Sequence, residues 1–229
     1  MKTPRYLLIA AGLALTMQFC GCATHGYQRA SLTRNALDDA RQLVAEIQRE
    51  IDESVASLDE LTAPQPGSLR PPFKDFEFTV KRLERDVDRI PKHRHAVRKH
   101  ADAYYTTWEK ELASFETPAI RERSAERRTA VMATLQKVDD GFAALDTSLR
   151  PLLLHLRDMN RFLRTDLTML GVKSGTDLAQ RIKADVVDVS KNTVALTNEL
   201  NQVAENLAPI KRPADVPPAT KESAAEPKE

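Results

Sequence analysis

The sequence predicts an all-α protein, an elongated antiparallel helical bundle or coiled coil of about four long helices. Three observations lead there. Apolar residues recur every seven positions in four separate stretches, which is the period of a narrow stripe along a helix. Seven glycines in 229 residues, 5% aromatics and 29% charged residues make a composition of long helices, and not of a sandwich or barrel. Proline and glycine gather between the periodic stretches, where the chain has to turn.

The first residues, MKTPRYLLIAAGLALTM, place Lys2 and Arg5 before an uncharged, mostly apolar run from Tyr6 to Met17. This is the layout of a secretory signal, and the run is shorter than the roughly 20 residues of a membrane span. QFCGCATHG follows and holds both cysteines of the chain. A disulfide between cysteines one residue apart would be strained, and two thiols leave a zinc site half built, with His25 as a third candidate ligand. The stretch resembles the processing site of bacterial lipoproteins: a large residue, a small one, Gly or Ala, then the acylated cysteine. That resemblance implies signal cleavage between Gly21 and Cys22, lipidation of Cys22, and loss of Cys20 with the signal peptide 1–21. Phe19 stands where that pattern prefers Leu. Ala23 after the cysteine, in place of Asp, implies delivery to the outer membrane of a Gram-negative cell, on its periplasmic side. The competing expectation is a plain secretory signal cut elsewhere. On the lipoprotein reading the mature chain carries no free thiol, which suits an oxidising compartment.

Residues 22–32 are expected as a tether and 33–208 as the helical domain. Leu37, Val44, Ile51 and Leu58 form the first row, flanked by Ala40, Ile47 and Leu61. Residues 63–72, with four prolines and a glycine, read as a linker. The second helix runs through Phe73, Phe76, Val80, Leu83, Val87 and Ile90, kinks at Pro91, and resumes its seam at Val97, Ala101, Tyr104 and Trp108. Tyr105 falls off that seam, which leaves it to an interface or to solvent. A short strand over Phe76, Phe78 and Val80 is the alternative there. Thr117 and Pro118 have the form of a cap followed by a first-turn proline, so the turn near 116–118 makes antiparallel neighbours. The third helix carries Leu135, Phe142, Leu149, Leu156, Leu163 and Leu170 in one row and Val131, Val138, Leu145, Leu152 and Met159 in the other, with Gly141 and Pro151 off the stripe. The turn near 171–175 follows, Ser174 and Asp177 having capping-box spacing. The fourth helix carries Ile182, Val189, Leu196 and Val203, joined by Val186, Leu200 and Leu207. Residues 209–229 lack apolar rhythm and are expected to be disordered.

Chemistry is sparse. Removing residues 1–21 takes away Lys2 and Arg5 and no acid, leaving 32 basic against 33 acidic residues, so nucleic acid is not an expected partner. PKHRHAVRKH, residues 91–100, holds His93, His95 and His100, but none are three or four apart as two metal ligands on one helix require. Lys92, Arg94, Arg98 and Lys99 concentrate positive charge there, either as a solvated face or as a contact for anionic lipid headgroups. No Ser/His/Asp grouping, HExxH or calcium loop is visible, GVKSG lacks the order of a phosphate loop, and no catalytic, metal or cofactor-binding residue is nominated.

With YYTTWEKEL (104–112), RERSAERR (121–128) and LLLHLRDMNRFL (152–163), the chain resembles a family of uncharacterised bacterial envelope proteins, domain of unknown function 2959. The resemblance implies a lipoprotein-type signal and long helices over roughly 30–208, and brings no activity or site residues. The expected function is a non-enzymatic lipoprotein held at the outer membrane by its lipid anchor. It would act as a spacer or docking scaffold for another envelope protein or for itself. The alternative is a soluble periplasmic chaperone or lipid-binding helical module.

Overall fold

The structure is a computed structural model that describes residues 23–63 and 67–207. Cys22, Gly21, the signal segment and residues 209–229 lie outside the described residues. Among the described residues six helices follow in order: α1 (Ala23–Thr62), α2 (Arg70–Val87), α3 (Ile90–Ser114), α4 (Pro118–Thr165), α5 (Met169–Ser174) and α6 (Thr176–Asn206). The described residues contain no strand.

α2 and α3 make one column, so the long helices form four columns with up-down-up-down direction. Side-chain pairs between columns fix the register. Glu46 with Arg89 at 3.0 Å and Glu53 with Arg82 at 3.4 Å set α1 antiparallel to the α2–α3 column. Arg94 with Asp139 at 2.7 Å and Glu84 with Arg157 at 2.5 Å set that column against α4. Asn192 donates to the Ala144 carbonyl at 3.4 Å across α4 and α6, and Arg41 with Asn201 at 3.2 Å closes the ring from α1 to α6. At 1.5 Å per residue the 48 residues of α4 span about 72 Å, so the bundle is long and thin.

The heptad rows are the core. Every residue of the first-helix rows, from Leu37 to Leu61, is buried, as are Val131 to Leu163 of the two α4 rows and Ile182, Val189, Leu196 and Val203 of α6. The sequence shows two rows per helix; the structure buries a third on α1, Ala36, Leu43 and Glu50, and another on α2, Pro72, Thr79 and Asp86. Each helix here touches two neighbours, so its covered stripe is wider than the seam of a two-stranded coil. Among the buried polar residues, Thr33, Ser54 and Thr193 each donate a hydroxyl hydrogen bond to a carbonyl four residues back, which satisfies the group without a partner from another helix.

Several boundaries differ from the sequence reading. Residues 23–32, expected as a tether, are the first turns of α1. The linker expected over 63–72 ends early, because Arg70 already opens α2 with proline in its first turn. Pro91 marks a break, not a kink: the helix stops at Val87, and α3 begins at Ile90 with proline in the first turn, where its missing N–H costs nothing. Pro151, by contrast, stands exposed inside a continuous α4. Thr117 is the cap residue before Pro118, but its side chain makes no capping bond.

The expectation that Leu170 extends the α4 row is overturned. The backbone leaves the helix at Asp166, with φ −137° and ψ 82°, and Leu170 is 74% exposed on α5. The expected capping box at Ser174 and Asp177 does not form either; Ser174 donates to the Leu170 carbonyl, and Thr168 caps α5 by accepting from the Gly171 N–H. Gly141, expected off the stripe, faces α6, where an added Cβ would lie 3.1 Å from Leu196 Cδ1.

Gly171 makes the tightest approach. A Cβ there would lie 2.4 Å from the Asp166 carbonyl oxygen and 2.8 Å from its carboxylate, so the turn between α4 and α5 would have to move. Gly171→Ala is expected to cost about 1–3 kcal/mol by urea unfolding, the scale of an imposed local backbone strain. A neutral outcome would mean the turn relaxes freely.

Candidate functional site

Two charged constellations between helices stand out among the described residues. The first lies between α1 and α2. Glu50, 1% exposed, receives Arg82 Nη2 at 2.6 Å on one carboxylate oxygen, while the other oxygen is buried without a partner. Burial pushes the Glu50 carboxyl above its ordinary range, against the opposing hydrogen bond and charge of Arg82. Arg89 joins Asp86 at 3.1 Å to Glu46 at 3.0 Å one turn away. This layer fixes register between the two helices, a role in which buried polar groups specify one alignment among several. His93 stands nearby; burial and the Arg89 charge hold it below the usual histidine range.

The second lies between α3 and α4. Arg94 grips Asp139 with two hydrogen bonds of 2.7 Å, from Nε and Nη2. That bidentate contact holds the Asp139 carboxyl below its usual value and raises Arg94. Arg98 lies 4.0 Å from the same carboxylate. Beside this pair opens a cleft of 160 Å³ between the two helices, floored by Val97, Ala101, Leu135 and Val138 and ending at Tyr105.

The four basic residues proposed from sequence as a headgroup contact are therefore divided. Arg94 turns to α4 and is engaged by Asp139, and Arg98 borders the cleft. Lys92 and Lys99 remain exposed, seven residues apart on the outer face of α3. His93, His95 and His100 do not assemble: among the described residues no group of three or more His, Cys, Asp or Glu is disposed to hold a metal.

Tyr105 is the residue that sequence reasoning misplaced. It is 9% exposed and belongs to the core, whereas Tyr104 and Trp108, expected there, are half-buried at its margin. The three rings adjoin, with centres 6.1 Å apart for Tyr104 and Tyr105 and 5.3 Å for Tyr104 and Trp108, and the Trp108 indole donates to Ser124 at 2.9 Å. The Tyr105 hydroxyl is buried without a hydrogen-bond partner, and burial raises its phenol well above the usual range. Nothing in the local sequence pairs Arg94 with a residue 45 positions away, or Glu50 with Arg82, so neither constellation was visible before the fold.

No helix among the described residues is long and apolar enough to cross a membrane. A family model described as a protein of unknown function (DUF2959) matches residues 20–207. No curated protein matches the chain.

Proposed function

The chain belongs to the DUF2959 family of proteins of unknown function, and from that premise we propose that it is a non-enzymatic envelope lipoprotein, a helical spacer or docking scaffold on the periplasmic side of the outer membrane. The observation that carries this reading is the run from signal to helix. The segment that resembles a lipoprotein processing site ends at Cys22, and the described residues are helical from the first of them, Ala23. An acyl group on Cys22 would then feed directly into a helix of 40 residues, about 60 Å long. Such an anchor sets a rod on the membrane with little slack, which is what a spacer needs.

The energetics of anchoring are favourable. Each buried lipid CH₂ contributes about 0.8 kcal/mol, so one chain holds marginally and two or more hold stably. The large apolar residues that stay exposed are scattered over several helices, Phe78 on α2, Leu154 on α4, Val187 and Val194 one heptad apart on α6, with Met169 and Leu170 adjacent on α5, a distribution that needs no membrane-embedded surface.

Expressed in a Gram-negative cell, the protein should incorporate labelled palmitate, partition with the outer membrane and accumulate as a precursor with globomycin. Cys22→Ala should abolish the label. An unlabelled, freely soluble wild-type product would reject the anchor and favour the soluble chaperone or lipid-binding module instead.

A further inference from the structure

At the end of the rod where α1 begins, α6 falls short of the other columns. The Arg127 guanidinium donates to the carbonyl of Asn206, the last residue of α6, at 3.3 Å, while α4 starts at Pro118, about 14 Å further along. α1 and α3 share this overhang. From the contact of Glu46 with Arg89, α1 runs about 35 Å back to Ala23 and α3 about 38 Å on to Ser114, so the two finish level to within one turn. The covered stripe of α1 continues through Thr33 to the half-buried Ala30 and Gly26, which keeps α1 packed over this length. The sector that α6 leaves open carries apolar side chains. Tyr27 stands two heptads before Arg41, which meets Asn201 of α6, and Ile120 stands one heptad before Arg127; they are 64% and 53% exposed. We propose that this end is a second membrane contact: the start of α1 and the turn between α3 and α4 rest in the headgroup layer of the phospholipid leaflet that holds an acylated Cys22, and Tyr27 and Ile120 are the side chains that enter it. This rests on the acylation put forward above and adds to it an orientation, the rod upright on three columns.

Chain connectivity says what covers this face. Cys22 is bonded to Ala23, so a bilayer that buries its acyl chains brings the headgroups to the first turn of α1, and therefore to the level of Ser114 and Pro118. The headgroup layer is about 5–7 Å deep on each side of a membrane, the height of roughly one helical turn. Tyr27 lies one turn from Ala23, and Ile120 lies in the first turn of α4 beside exposed Pro118 and Ala119, so both fall within that depth. A tyrosine, with an apolar ring and a polar tip, suits the membrane–water boundary. Residues 23–34 and 108–130 hold seven Lys and Arg against five Glu, a small excess that favours anionic headgroups. An acyl attachment alone leaves a rod free to pivot; contacts on two different columns fix its axis.

The test follows the full chain, expressed in a Gram-negative cell with labelled palmitate and moved from its membranes into vesicles of phosphatidylethanolamine and phosphatidylglycerol. Ile120→Cys and Leu170→Cys each carry an environment-sensitive dye, since acylation occupies the Cys22 thiol. Leu170 is 74% exposed beyond the far end of α4, about 70 Å from Ile120. Nitroxide on the lipid headgroups should remove most of the emission at position 120 and none at 170, and nitroxide at the centre of the acyl chains should act more weakly at 120. Palmitate-labelled protein with neither dye quenched would overturn the proposal and leave the anchor standing. Equal quenching of both dyes would overturn it by laying the rod flat, and stronger quenching at 120 from the acyl-chain nitroxide would overturn it by placing that turn in the hydrocarbon. Disulfide-linked dimers of Ile120→Cys in place of quenching would give the face to a second copy of the chain. Absence of the palmitate label would remove the anchor and this contact together.

Discussion

Arg82→Met should lower stability by about 3 kcal/mol at neutral pH, because it strips the charge partner from a carboxylate that the fold has taken out of water. Glu50 is 1% exposed and already keeps one oxygen unpaired; without Arg82 the cation nearest the other oxygen is Arg49 at 3.9 Å, beyond hydrogen-bond reach. Arg82 also meets Glu53 at 3.4 Å and lies 5.5 Å from the Phe78 ring centre, but both partners are at the surface and contribute little. The pH dependence identifies the cause. Glu50 has a folded-state pKa raised above its ordinary 4.5. Its contribution is therefore fully present below that ordinary value and is lost as pH rises through the raised one. Removing Arg82 enlarges the shift, so much of the deficit should be recovered near pH 4.5, where a protonated Glu50 no longer needs a cation. Asp139 runs the other way. Its lowered pKa means that its contribution is present above the ordinary 3.8 and is lost as pH falls through the lower folded value, so the comparison is best made before that limb begins. The double variant Glu50→Leu with Arg82→Met should regain wild-type stability or exceed it at neutral pH, since an apolar pair of similar size avoids the desolvation that the ion pair must offset. Urea unfolding at pH 7 and pH 4.5 reads all three. A deficit in Arg82→Met independent of pH would assign the loss to packing of the arginine stem.

Phe76→Ala should cost about 4 kcal/mol, while Phe78→Ala, two residues away, should cost less than about 0.5 kcal/mol. Phe76 is fully buried and Phe78 is 59% exposed. In a strand these two and Val80 would share a face and lose comparable amounts; in α2, Phe76 and Val80 point inward and Phe78 outward. Equal losses would contradict the helical register of α2.

The pattern of the core was legible because a seven-residue apolar repeat has few structural solutions. The rows led by Leu37, Leu135, Val131 and Ile182 entered the core as spaced. What failed was extrapolation. A straight helix drifts about 20° per heptad against a strict count of seven, and the break at Asp88–Arg89 interrupts the count in the second column. Val97 and Ala101 lead by steps of four to Tyr105, not to Tyr104 and Trp108. Leu170 kept its place in the count after the backbone had left the helix at Asp166, and nothing in Thr165 or Asp166 announces that exit. The charged layer at Glu50 and the cleft beside Asp139 depend on which columns become neighbours. Periodicity states that each stripe is covered, and leaves the covering helix open.

The fold depends on the four stripes closing on one another inside a single long chain. Size-exclusion chromatography with light scattering and small-angle X-ray scattering on residues 23–207 tests this most directly. The bundle predicts the mass of one chain, a longest dimension of about 75 Å and a radius of gyration of about 23 Å, following from the length of α4. A radius near the roughly 16 Å of a compact domain of this size, or the mass of two chains at all concentrations, would contradict it.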